Sequence, residues 1–319
     1  MANLWENLPR PFLVLAPMED VTDTVFRQMV VACARPHVFF TEFINVDGMF
    51  SRGQGAVRER LKFTDIERPI VAQIWGLNPE NFYKGAQELV KLGFAGIDLN
   101  FGCPERKVVK KGACIALINN RPLAKEIIQA TTEAAGIIPV SIKTRIGFDQ
   151  IITEEWVEFL LRQNIQALTV HGRTAKEKSR APAHWNEIRK VVGVRDRLGA
   201  KTVIIGNGDV RDRNQAVDLV HTYGVDGVMI GRGIFHNLWA FSEVDASHLR
   251  SPKTVLKLLL KHLQLFEKEW GSTKPFHILK KYFKIYVQGF VGAVELREKL
   301  MQTNSCKEVE KIISYVSKM

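Results

Sequence analysis

Eight short apolar runs, spaced by stretches of helical periodicity, constrain this chain more than any other feature. The runs fall at 12–18, 38–43, 69–76, 96–101, 138–144, 167–171, 201–206 and 226–231. Helix starts sit between them: the Asp20 to Thr24 cluster, Asn78 before Pro79, and Arg121-Pro122 all supply capping chemistry, and Trp156, Val157, Leu160 and Leu161 form a helical stripe. Eight β/α units in roughly 240 residues predict an α/β protein of the (β/α)8 TIM-barrel type. An open dinucleotide-binding sheet would carry G-x-G-x-x-G after its first strand; here Gly231-Arg232-Gly233 follows the last strand and is too short.

Beyond residue 249 only helical patterns continue, at 255–270, 276–288 and in two shorter segments through 316. Ser251-Pro252 marks a boundary between a barrel domain, 1–250, and a smaller all-helical C-terminal domain, 251–319. The chain carries a formal charge of +11, and the helical tail holds 13 Lys and Arg against 6 Asp and Glu. So uneven a charge predicts a polyanionic partner, nucleic acid before membrane. No apolar run reaches the roughly 18 residues of a membrane helix and no secretory leader stands at the start, which predicts a cytoplasmic protein. The four cysteines lack a C-x-x-C, so free thiols are expected, with no disulfide framework and no metal site.

A barrel collects its chemistry where the strands end. The strand-end residues are Pro17 and Met18, Gln73, Asn100 with Cys103, Lys143 with Arg145, His171 with Arg173, Asn207 with Asp209, and Gly231 with Arg232. Lys143, on the strand's pleat, needs an anion or polar ligand, since an unpaired buried ammonium is costly; the competing reading gives it a barrel carboxylate. The glycine pairs around Asn207 and Arg232 close the seventh and eighth strands, where barrels commonly hold a phosphate. His171 faces the same mouth and is read as a ligand contact rather than a core histidine. Cys103 sits in a loop between Gly102 and Pro104 with four basic residues close behind. Such a neighbourhood lowers a thiol's pKa, whereas a proton donor must keep its proton, so charge leaves open whether Cys103 is nucleophile or acid.

The motifs Ala16-Pro-Met18, Ala72-Gln-Ile74, Leu99-Asn-Phe-Gly-Cys-Pro104 with Arg106-Lys-Val108, Lys143-Thr-Arg145, Val170-His-Gly-Arg-Thr174, Gly206-Asn-Gly-Asp209 and Ile230-Gly-Arg232 resemble those of the tRNA-dihydrouridine synthases. These are FMN enzymes with an N-terminal barrel and a helical tRNA-binding domain. The resemblance implies that NADPH reduces FMN, that hydride passes from flavin N5 to C6 of a flipped uridine, and that Cys103 protonates C5. It assigns Lys143 to the flavin N1 and C2 carbonyl, Gln73 to the isoalloxazine edge, and Ala16, Pro17 and Met18 to its surroundings. His171, Asn207, Gly208, Asp209, Gly231 and Arg232 fall around the ribityl chain and phosphate, Asn100 touches uracil or flavin, and Arg145, Arg173 and Lys107 fall to the substrate side with it. Lys280, Lys281 and Lys284 of the tail would meet tRNA phosphates, unless they form a solvated face over the aromatic Tyr282, Phe283 and Tyr286. Phe101, Glu105, Cys114 and the 176–182 loop depart from the expected pattern. A monomer is expected. Two other classes compete: an FMN dehydrogenase of the dihydropyrimidine or dihydroorotate type, which leaves the basic tail without work, and a flavin-free RNA-binding protein.

Overall fold

Strands buried on both sides can be built only if each face meets its own core, and this chain builds two. The structure, a computed structural model, describes residues 3–52, 54–271 and 273–316; Lys318, counted in the tail's charge, lies outside them. The strands are β1 (Phe12–Leu15), β2 (Phe39–Phe40), β3 (Ile44–Asn45), β4 (Ile70–Trp75), β5 (Gly96–Phe101), β6 (Val140–Arg145), β7 (Ala167–His171), β8 (Val203–Asn207) and β9 (Gly227–Ile230). All pair in parallel, in the order β1-β9-β8-β7-β6-β5-β4-β2, with β3 also on β4. Val14 bridges Val38, and Leu15 N–H donates to Val38 O at 3.2 Å, closing the ring. The expected barrel is therefore present. The second run is shorter than predicted because Thr41 breaks the ladder: its hydroxyl, not a backbone carbonyl, accepts from the Gln73 N–H at 3.0 Å.

Alternation along each strand separates the two cores. Leu13, Leu15, Ile70, Ala72, Ile74, Ile97, Leu99, Ile142, Leu168, Val170, Ile204 and Val228 join the cluster between strands and helices. Phe12, Val14, Val38, Phe40, Val71, Ala167, Val203, Ile205 and Met229 fill the bore, with Trp5 packed on Phe12 and Phe40 at 6.1 and 6.3 Å. Further along the same inward faces the side chains turn polar, with Gln73, Asp98, Asn100, Ser141, Lys143, Thr169, His171 and Asn207. Burial of the apolar side chains, each worth on the order of 1.5–3 kcal/mol, anchors the register that brings these polar groups to one level.

The tail begins with a helix, Pro252–Trp270, capped by Ser251, whose side chain accepts from the Thr254 N–H. The predicted 276–288 helix is instead a 3₁₀ segment, Phe276–Tyr282, followed by one short helical turn, Phe283–Tyr286; Ala293–Met301 and Cys306–Val316 complete it. Tyr282 causes the tighter winding to be useful: it stacks on Phe26 at 5.2 Å, and its hydroxyl donates to Val21 O at 2.8 Å. Lys281 donates to the Asp20 carbonyl, and Lys274 pairs with Asp23 at 3.2 Å. Lys281 thus helps dock the tail on the loop after β1, while Lys280 donates to Met301 O and Lys284 stays exposed. The aromatic Tyr282, Phe283 and Tyr286 are buried. No helix among the described residues is long and apolar enough to cross a membrane.

Candidate functional site

Because every strand runs the same way, their C-terminal ends form one mouth, and a cavity of about 590 Å³ opens there. Its wall follows the strands. Ala16, Pro17 and Met18 follow β1, Gln73 comes from β4, Asn100 and Cys103 from β5 and its loop, and Lys143 and Arg145 from β6. His171 and Arg173 follow from β7, Asn207, Gly208 and Asp209 from β8, and Gly231 and Arg232 from β9. Lys107 lies apart, on an adjoining cavity of about 750 Å³ that also touches Cys103, Cys114, Trp75, Arg145 and His171. Phe43, Arg211 and His236 also line the first cavity and had no motif to announce them.

The electrostatics of this mouth are cationic. Lys143 has no carboxylate within ion-pair distance among the described residues; its Nζ donates to Asn207 Oδ1 at 3.3 Å. Burial, with the Arg145 charge second, lowers its pKa to about 8. Burial and the surrounding Arg145, Lys143, Arg173 and Arg232 charges hold His171 well below the ordinary imidazole value, so it is neutral at pH 7. Its Nε2 lies 3.1 Å from Arg173 Nη1, a donor, which leaves the proton on Nδ1.

The two arginines nearest the substrate side are largely committed to the protein. Arg145 donates to Gly102 O at 2.8 Å and Thr174 O at 3.0 Å, bracing the cysteine loop. Arg173 is buried, with donors to Ala181 O and the Asp209 carboxylate. Arg232, by contrast, is 60% exposed and 3.5 Å from Asp209, available to an anion. The turn between them depends on Gly208: its φ of 133° suits glycine, and an added Cβ would lie 2.6 Å from the Ala183 Cβ. Gly206 makes room for Trp185, whose indole N–H then pins Gly208 O at 3.0 Å.

This donor set fits a flavin. An uncompensated ammonium and two amides face the cavity where an electron-rich ring would need donors, and an exposed arginine beside a glycine turn suits a phosphate.

Cys103 has a thiol partner that composition could not reveal. The Cys114 side chain hydrogen-bonds it, and this contact, opposed by burial and aided by the Glu105 N–H and the Arg145 charge, lowers the Cys103 pKa to about 7. Burial first, and Cys103 second, raise Cys114 well above the usual thiol range. Cys114 reaches this place from a left-handed backbone at φ 55°, a conformation uncommon for a residue with a side chain. All four cysteines are free. Cys114→Ala should therefore move the midpoint of Cys103 alkylation upward from about 7 toward the ordinary 9. A proton donor is loaded only below its pKa, so the alkaline limb of the activity profile should move up with it; iodoacetamide labelling against pH checks the first and a pH-rate profile the second.

Comparison with known proteins follows this geometry. The protein-family model described as dihydrouridine synthase matches residues 14–318. The chain belongs to the dihydrouridine synthase family. The chain is 48% identical over 314 residues to a probable tRNA-dihydrouridine synthase of Staphylococcus aureus strain COL, covering 98% of this chain and 94% of the relative. It is 46% identical over 316 residues to probable tRNA-dihydrouridine synthase 2 of Bacillus subtilis strain 168, covering 98% and 95%. Among solved structures, morphinone reductase in complex with tetrahydroNAD shares the barrel at a TM-score of 0.50 and 15% identity, covering 75% of this chain and 89% of that one. An old yellow enzyme homologue from Zymomonas mobilis shares it at 0.50 and 13%.

Proposed function

We propose that the protein is a tRNA-dihydrouridine synthase, an FMN-dependent oxidoreductase that reduces the C5–C6 double bond of uridines in tRNA at the expense of NADPH. The observation that carries the reading is the convergence of a cysteine loop and a carboxylate-free lysine on one cationic mouth, in a chain of this family. Bound FMN would supply hydride to C6 of the base. Lys143, Gln73, Asn207, His171 and Arg232 would hold it, with Lys143 and Arg232 contributing the positive charge that an anionic ring and a phosphate require.

The remaining chemistry belongs to the chain. Adding hydride at C6 builds negative charge at C5, and Cys103 discharges it by giving up its thiol proton there. Arg145 keeps the loop in place through Gly102, and Asn100 holds the same loop by its backbone. The adjoining cavity between Cys103 and Lys107 receives the flipped base, and binding it there repays the cost of unstacking. In this reading the barrel, 1–250, is catalytic, the helical part, 251–319, binds RNA, and the protein works as a cytoplasmic monomer.

RNA affinity should come mainly from backbone charge. Deleting the tail would be a poor test, since Tyr282 packs on Phe26 of the barrel. Lys107→Glu with Lys284→Glu is cleaner: tRNA affinity should fall on the order of tenfold, and the slope of log Kd against log salt should flatten by about 0.7–0.9 per lost contact. A folded double variant with unchanged affinity and slope would remove these lysines from the interface. Reduction of free uracil or orotate as fast as of tRNA would favour the small-molecule alternative; colourless purified protein would favour the flavin-free one.

A further inference from the structure

Asp98 has no part in the chemistry described so far, yet it occupies the centre of the polar layer. It is fully buried on β5, opposite Gln73 of β4 on one side and Ser141 of β6 on the other. Its Oδ1 accepts from the Ser141 hydroxyl at 2.6 Å and its Oδ2 from Gln73 Nε2 at 2.7 Å. The other end of the Gln73 amide, Oε1, accepts from Asn100 Nδ2 at 3.0 Å. Asn100 Oδ1 in turn accepts from the Gly102 and Cys103 N–H groups at 3.1 and 3.0 Å.

The two ends of this chain have fixed character. A carboxylate can only accept and a backbone N–H can only donate. Two primary amides stand between them, and each could face either way in isolation. With acceptors at one end and donors at the other, a single arrangement satisfies every junction. Flipping either amide sets oxygen against oxygen at one contact and nitrogen against nitrogen at another, inside a bore where an unmet polar group costs on the order of 1–3 kcal/mol.

We propose that Asp98 is a positioning residue: through Gln73 and Asn100 it fixes which amide atoms face the cavity and holds the backbone of the Cys103 loop. The inference rests on the reading of Cys103 as the group that meets the base. It makes the ring-facing and base-facing sides of the site one hydrogen-bonded unit, so the donor pattern presented by Gln73 and Asn100 and the seat of the thiol change together. Burial raises the carboxyl pKa to about 6, held there by the Ser141 and Gln73 hydrogen bonds and, after them, by the Lys143 charge.

The test is a double-mutant cycle on flavin-loaded protein, read by the rate of Cys103 alkylation with iodoacetamide and site-resolved mass spectrometry. Asp98→Asn, which keeps shape but lets the Gln73 amide turn over, should raise that rate at least about threefold, and Asp98→Ala more. Ser141→Ala, which removes the carboxylate's other donor but no link of the chain, should stay near wild type. In a Gln73→Met background, Asp98→Asn should add nothing, because its connection to the loop is gone. With tRNA, Asp98→Asn should lower kcat and leave KM unchanged.

Wild-type alkylation in Asp98→Asn, or an effect that persists undiminished without Gln73, would overturn the proposal; should Asp98→Ala not fold, the isosteric variant carries the test. Alkylation needs no RNA, so a failure of the tRNA reading appears separately, as wild-type protein that forms no dihydrouridine.

Discussion

Cys103→Ala should bind flavin and accept electrons from NADPH as the parent does, yet form dihydrouridine at least about a hundredfold more slowly, the scale on which positioned general acids act. Its thiol lies on both cavities and hydrogen-bonds the Cys114 side chain and the Glu105 backbone; it acts on Lys143 only through charge, so removing it leaves the side chains of the cationic wall in place. Anaerobic flavin bleaching by NADPH, followed by mixing with unmodified tRNA, separates the two half-reactions. Unchanged dihydrouridine yield would exclude the acid role, and slowed bleaching would mean that the loop shapes the flavin site as well. Cys103→Ser tests the acidity itself: a hydroxyl keeps the donor but holds its proton far more tightly, so activity should fall nearly as much.

Lys143→Met should have the second large effect, on the opposite half of the reaction. The substitution keeps length and apolar stem and removes the charge together with the donor to Asn207 Oδ1. Because Lys143 has no carboxylate partner in ion-pair range, its loss strands no buried anion nearby except by weakening the field on Asp98. Stability should therefore change little, while flavin binding or its reduction by NADPH falls by about a hundredfold, the usual worth of a preorganised donor at a developing charge. Titration with FMN and stopped-flow bleaching measure the two; wild-type values for both would return Lys143 to a structural role.

Much of this architecture could be read from the chain because a parallel barrel writes itself twice, once in the spacing of its apolar runs and once in the polar residues that end them. Gly96 to Pro104 shows both, and β5 stands where its pattern put it. The second strand was over-read, since a threonine hydroxyl standing in for a ladder acceptor looks like any strand residue in sequence. The 276–288 segment was over-read for another reason: its apolar spacing suits a helix, and the docking of Tyr282 on Phe26 and Val21 that accompanies the tighter winding is a tertiary contact.

At the site, residue types were legible and their partners were not. Asp98 was visible as an acid two residues before Asn100 on a buried strand, hence on the same face, but what it accepts from depends on neighbouring strands. Cys114 was noticed only as an oddity of its loop; eleven residues of chain had to turn back before it met Cys103. Arg145 and Arg173 read as hands for a ligand, and the fold uses most of their donors on its own carbonyls and on Asp209.

Trp5 gives the barrel a floor. With Phe12 and Phe40 around it and apolar side chains filling the bore above, nothing can pass through from below. In the proposed reaction both the reductant and the RNA base would then approach from the strand-end side, where the two cavities adjoin. If the two share that approach, an excess of either should slow the other.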